Sequence, residues 1–108
     1  MKAVGYYTPL PINDPAALQD LQLPKPQATG RDLLVAVQAI SVNPVDTKVR
    51  KSATPPEGEA KVLGWDAVGI VEAVGPDVTL FKAGDAVYYA GSVARPGANA
   101  EFHLVEGR

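Results

Sequence analysis

The side chains with chemistry to offer fall in two short stretches of this 108-residue chain, Asn43-Pro44-Val45-Asp46 and Trp65-Asp66. Asn43 carries an amide that donates and accepts hydrogen bonds, Asp46 and Asp66 carry carboxylates, and Trp65 carries an indole that only donates. The same residues have structural readings. Asn before Pro marks a helix start, with Asn43 as the N-cap, Pro44 at the first helical position and Asp46 in the first turn, where the helix dipole favours a carboxylate. Trp65 in an apolar strand reads as core or as the wall of a pocket. Asp66 is either a pocket carboxylate or the partner of a backbone amide, and the sequence does not choose between them.

The remaining titratable groups point away from several kinds of chemistry. There is no cysteine and one histidine, His103, so thiolate catalysis and disulfides are excluded, and a catalytic zinc lacks its three N, S or carboxylate ligands. His103 lies between Phe102 and Leu104 and reads as a surface or satisfied core residue. Tyr88 and Tyr89 alternate across a strand, one facing in and one out, and packing explains both. Lys48, Arg50 and Lys51 form the one basic cluster able to attract a phosphate, but the net charge of −2 and a pI near 5.2 argue against a nucleic-acid surface. No apolar stretch reaches the roughly 20 residues of a membrane helix. Thr8 and Pro9 interrupt the N-terminus before a signal-peptide core forms, so a cytoplasmic chain is expected.

The elements that must position these residues are short and mostly extended. Ala3 to Tyr7 reads as a first strand halted by Pro9 and Pro11. Ala16 to Leu23 reads either as one helical turn or as an extended edge segment. Leu33 to Val42, free of Gly and Pro and apolar on both faces, is a long strand that crosses the core and delivers Asn43. A helix of about two turns follows, ending in Lys48 to Lys51, and residues 52–59 form a solvated loop. Gly64 to Gly75 is a buried strand in which closely spaced glycines allow a bulge, a bend or the close approach of another backbone. Ala86–Ala90 and Ala100–Val105 are further strands, separated by Gly- and Pro-containing turns. One domain with a single modest core fits this length. The pattern is that of a mainly β barrel or sandwich with one or two short helices.

Four segments in order carry a resemblance. Ser41-Val42-Asn43-Pro44-Val45-Asp46, Leu63-Gly64-Trp65-Asp66-Ala67-Val68-Gly69-Ile70-Val71, Glu72-Ala73-Val74-Gly75 and Phe81-Lys82-Ala83-Gly84-Asp85-Ala86-Val87 resemble the N-terminal half of medium-chain dehydrogenases/reductases. The similarity is greatest to their quinone oxidoreductase and zinc-type alcohol dehydrogenase-like branch. The resemblance implies a GroES-like, partly open β-barrel over residues 1–108. It also implies a longer parent, a homodimer, whose Rossmann domain binds NADPH. This chain holds no Gly-x-Gly-x-x-Gly after a strand, so alone it is expected to bind cofactor weakly and not to turn over.

Zinc-dependent relatives place Cys where Asn43 stands and His-Glu where Trp65-Asp66 stand, and they carry a four-cysteine structural lobe that is missing here. The proton-relaying hydroxyl two residues after that Cys is Val45. The resemblance therefore implies zinc-free hydride addition from NADPH to a quinone or activated enone, with the protein positioning, polarising and excluding water. Asn43, Asp46 and Trp65 are the catalytic candidates. Asn43 is also the cofactor-binding candidate, its amide donating to a substrate carbonyl or to the nicotinamide ribose. A zinc alcohol dehydrogenase with unusual ligands and a self-standing GroES-like binding module are the alternatives.

Overall fold

A computed structural model describes residues 1–107. The described residues form strands β1 (Lys2–Tyr6), β2 (Gln19–Gln22) and β3 (Asp32–Ser41), helix α1 (Pro44–Ser52), and strands β4 (Lys61–Val62), β5 (Asp66–Val74), β6 (Ala86–Ala90) and β7 (Phe102–Glu106). They build two antiparallel sheets, ordered β2-β1-β4 and β6-β5-β3-β7. Residues 19–22 take the extended form of the two that the sequence allowed. No described helix is long and apolar enough to cross a membrane.

Strand β3 is central, as its apolar run predicts. It pairs with β5 from Leu33 to Ser41, but with β7 only from Asp32 to Ala36. The consequence is a change of environment along one strand: Leu33, Leu34 and Val35 are buried, whereas Gln38 to Ser41 are exposed. The expectation that the whole strand crosses the core therefore holds for its first half only.

Two register shifts bend the β3–β5 ribbon. The pairing jumps from Leu34↔Ala73 to Val35↔Val71, and from Val37↔Gly69 to Ala39↔Val68, so Glu72 and Gln38 are the extra residues of two bulges. A Cβ at Gly69 would run into the Ala36 carbonyl and the Val35 side chain, which is the close backbone approach that its glycine allows. The bent sheet curls until side chains from its two edge strands meet: Tyr89 of β6 stacks on His103 of β7, with ring centroids 5.6 Å apart. The edges are not joined by backbone pairing, so the barrel stays partly open.

The glycine-cut stretch departs from expectation at its start. The strand begins at Asp66, not at Gly64, because Gly64 turns with φ +93° and residues 62–64 are used by another segment. The carbonyls of Val62, Gly64 and Leu63 accept bonds from the N–H groups of Gly97 (2.9 Å), Ala98 (2.5 Å) and Asn99 (3.0 Å). That loop joins the sheets. The Asn99 carbonyl accepts Val4 N–H at 2.9 Å, Glu101 N–H donates to the Lys2 carbonyl at 3.0 Å, and Val37 N–H donates to the Glu101 carbonyl at 2.9 Å. The last strand accordingly starts at Phe102, two residues later than the sequence pattern places it.

Candidate functional site

The end of β3, the first turn of α1 and the start of β5 converge on one corner. Asn43 is the N-cap of α1, with extended backbone (φ −129°, ψ 164°) and Pro44 after it. Asp46, only 6% exposed, uses both carboxylate oxygens on main-chain donors: Oδ2 accepts Asn43 N–H at 2.8 Å and Oδ1 accepts Gly64 N–H at 2.9 Å. The first bond is half of a capping box. The second ties the helix start to the turn before β5.

In the other half the Asn43 side chain faces the Asp46 N–H, and that N–H also donates to the Asn43 main-chain carbonyl at 2.9 Å. The Asn43 amide is turned toward β5. Its Nδ2 donates to Asp66 Oδ2, and the Ser41 carbonyl lies 3.5 Å from the same nitrogen. Thus Asp66 is the partner of a side-chain amide, an option that the sequence did not single out.

Asp66 also lines a concavity of about 520 Å³ on the outer face of the larger sheet, together with Ser41, Ala39, Val68, Tyr88 and Ala90. The registers explain this lining. Asp66 pairs with Ser41 and Ala90, and Val68 with Ala39 and Tyr88, so these residues stand in two adjacent rows on one face. Tyr88 is 89% exposed, the outward member of the tyrosine pair, and the surface around Asp66 is apolar.

Trp65 points the other way. It is 3% exposed and packs with Tyr6, Leu63 and Val49, and its indole N–H donates to the Arg95 carbonyl at 3.2 Å. Tyr6 closes this cluster from below the helix. Its hydroxyl lies 2.7 Å from the Ala53 carbonyl and 2.9 Å from that of Val49, and burial raises its pKa, an effect the Arg50 charge partly offsets.

Of the three expected site residues, Asn43 and Asp46 meet at one corner with Asp66 added. Trp65 stands beside them in chain order with its ring in the core. No feature of the sequence indicated the contact from Asp46 to Gly64, although glycine at 64 leaves its N–H unshielded.

His103 lies outside this corner. It is 4% exposed, with Nδ1 2.7 Å from the Tyr89 hydroxyl and Nε2 2.9 Å from the Pro96 carbonyl. A carbonyl only accepts, so Nε2 carries the proton and the neutral ring takes the Tyr89 O–H at Nδ1. Burial lowers the His103 pKa, with the Pro96 hydrogen bond opposing and the Arg95 charge adding to the shift. Burial also pushes the Tyr89 hydroxyl up to about 12. Nearby, Arg95 makes a bidentate pair with Asp32 at 2.9 Å for each bond.

Among the described residues no three His, Cys, Asp or Glu side chains stand close enough to hold a metal. At the corner itself, the Asn43 amide nitrogen faces Asp66 and the Trp65 nitrogen is a bonded donor.

Comparison with known proteins bears on the same residues. Residues 29–106 match the alcohol dehydrogenase GroES-like domain. The chain is 47% identical over 105 residues to a zinc-type alcohol dehydrogenase-like protein of Staphylococcus aureus, covering 97% of this chain and 31% of that protein. It is 36% identical over 91 residues to quinone oxidoreductase 1 of Escherichia coli, covering 84% and 27%. Among solved structures, a Rhizobium etli protein assigned as a zinc-dependent alcohol dehydrogenase superposes with a TM-score of 0.94 at 64% identity, over 98% of this chain and 30% of that one. Escherichia coli quinone oxidoreductase complexed with NADPH gives 0.82 at 30% identity, over 98% and 31%. The chain thus spans less than a third of the length of these relatives. By this match and by its fold, the chain belongs to the alcohol dehydrogenase GroES-like domain family of the medium-chain dehydrogenases/reductases.

Proposed function

We propose that this chain is the N-terminal catalytic domain of a longer NADPH-dependent reductase that transfers hydride to a quinone or activated enone without a catalytic zinc. One observation carries the reading: the corner where zinc relatives hold their metal is an amide–carboxylate pair, Asn43 and Asp66, opening beside an apolar concavity. The NADPH complex of a relative with this fold supports the cofactor.

When bound, NADPH supplies the hydride. The chain's own residues orient and shield. Asp46 fixes the turn that carries Asn43 and, through Gly64, the position of β5. Asp66 holds the Asn43 side chain. Val68, Ala39 and Tyr88 offer a flat apolar surface suited to a planar, water-sensitive substrate. Trp65 acts from the core, as a support for Asp66 next to it.

The test is turnover by the longer protein. Steady-state NADPH oxidation with a small quinone or enone is expected, and zinc addition or chelation should leave the rate unchanged. The name of the Staphylococcus aureus relative favours a second reading, a zinc enzyme with atypical ligands. One zinc per chain by metal analysis, with chelation abolishing activity, would establish that reading in place of the first.

A further inference from the structure

We infer that the apolar cavity between β7 and the smaller sheet is a binding site for a small neutral aromatic molecule, covered by residues 23–27 as a strap that Lys25 latches. This goes beyond the reductase reading and does not depend on it. The cavity shares no lining residue with the concavity beside Asp66.

The cavity has a volume of about 260 Å³ and is walled by Met1, Leu23, Pro26, Val62, Phe102 and Leu104. Close-packed interiors contain few voids larger than a water molecule, and an apolar cavity of about 150 Å³ stays dry yet admits benzene. A space of this size and lining suits one aromatic ring with a short substituent. Five of the six walls are only half-buried, Val62 being the exception, so the cavity lies close beneath the surface.

The charge of the ligand follows from the polar groups on the wall. Arg95 and His103 also reach the cavity. The Arg95 charge is matched by Asp32 in a bidentate pair, and both His103 nitrogens are engaged, by Tyr89 and by the Pro96 carbonyl. An ionised ligand would therefore give up its hydration without meeting a free countercharge. A neutral ring meets the Phe102 ring and the Met1 thioether, which both favour aromatic partners.

The cover is held at few points. At its start the Leu23 N–H donates to the Met1 carbonyl at 2.9 Å, and the Leu23 carbonyl accepts the Met1 amino group at 2.5 Å. Pro24 and Pro26 have no N–H to donate, and among the described residues no main-chain hydrogen bond is made by residues 24–28. Lys25 supplies the tie. Its Nζ lies 2.5 Å from Glu72 Oε2 and 4.2 Å from the centroid of the Phe102 ring, the same ring that walls the cavity. Glu72 is the extra residue of the bulge in β5, so the latch fastens the strap across the bent sheet. Its two side chains are 47% and 42% exposed, and a pair so solvated opens at little cost.

Toluene titrated into the 15N-labelled chain tests the site, with benzoate as the ionised probe of similar size. Toluene should give saturable shifts at the amides of Leu23, Phe102 and Leu104 and none at Val68 and Tyr88; benzoate should give none at either place. Ala100→Leu, which enlarges a side chain on the cavity wall, should abolish saturation while the rest of the spectrum is kept. Leu23→Phe fills the same space from the strap and serves where Ala100→Leu disturbs the fold. Lys25→Ala should keep the site and speed toluene release about two- to fivefold, read from line shapes, the modest effect of an exposed ion pair. Shifts centred on Tyr88, equal shifts with benzoate, or saturation that survives in a folded filling variant would overturn the site. An unchanged release rate in Lys25→Ala would overturn the latch.

Discussion

Two polar clusters flank the larger sheet, and they use their side chains in opposite ways. Around His103 every polar atom is matched within the fold: Nδ1 with Tyr89, Nε2 with the Pro96 carbonyl, and Arg95 with Asp32. Around Asn43, Asp46 is equally satisfied, yet Asp66 borders an open apolar surface. The histidine, the residue type most often associated with acid–base chemistry, is sealed. The amide caps the helix and holds Asp66 beside the concavity. A polar group set beside a concavity, more than the identity of the titratable group, distinguishes a candidate site from a structural cluster.

The sharpest way to break this contrast is Asp46. If the open cluster depends on a rigid base, Asp46→Ala should be the most destabilising of the changes considered, because it leaves the N–H groups of Asn43 and Gly64 without their charged acceptor. Two charge-assisted bonds of about 1.5–3 kcal/mol each give an expected loss of about 3 kcal/mol or more, a large share of a domain's marginal stability. Urea unfolding measures it. Asp46→Asn keeps one acceptor and should recover part of the loss. A cost for Asp46→Ala below about 1 kcal/mol would mean that the corner is not held from below.

Local signals in the sequence reached the elements and stopped at their contacts. Asn43-Pro44 announced α1 because capping and the proline ring act within a few residues of chain. The composition of β3 announced a long strand, and the glycine at 69 announced a close backbone approach. Nothing local announced that residues 97–99 lie across residues 62–64, so the strand start was placed two residues early. The same holds for the site. Asn43 and Asp46 were legible through their spacing, but the Asn43–Asp66 pair spans 23 positions and depends on the β3–β5 register that sets Ser41 opposite Asp66. Trp65 was legible as a bulky residue in an apolar run, and only the turn at Gly64 decides that its ring enters the core.

The sealed cluster makes its own prediction about pH. His103 has a lowered pKa in the fold, chiefly through burial, so the unfolded chain takes up a proton more readily. Stability contributed by the neutral ring is complete above the unfolded value of about 6.5 and is lost as pH falls toward the lowered folded value. The groups facing the ring are the Tyr89 hydroxyl, the Pro96 carbonyl and the Arg95 charge. The Tyr89 hydroxyl, with its pKa near 12, stays protonated throughout that window. One such site gives a slope of at most about 1.4 kcal/mol per pH unit. Thermal unfolding between pH 7.5 and 5 should show this decline in the wild type and a flatter profile in His103→Gln. Equal slopes would show that the cluster admits a proton without cost and is less sealed than its contacts indicate.

The smallest effect is expected at the loop shared by both clusters. Arg95 sends its guanidinium to Asp32 and its carbonyl to the Trp65 indole, while the Pro96 carbonyl next to it holds His103. The ion pair is partly solvated, its side chains 37% and 18% exposed, so screening and side-chain entropy limit what it contributes. Arg95→Ala should cost about 0.5–1 kcal/mol, and less at high salt. The carbonyl survives this substitution, and Trp65 is the single tryptophan of the chain, so its fluorescence reports separately whether the loop still covers the core beneath Asp66. An unchanged emission maximum with a small stability loss would show that the two clusters are energetically separate, each held by its own bonds. A red shift would show that the Asp32–Arg95 pair holds the loop against Trp65, and that the sealed cluster supports the open one.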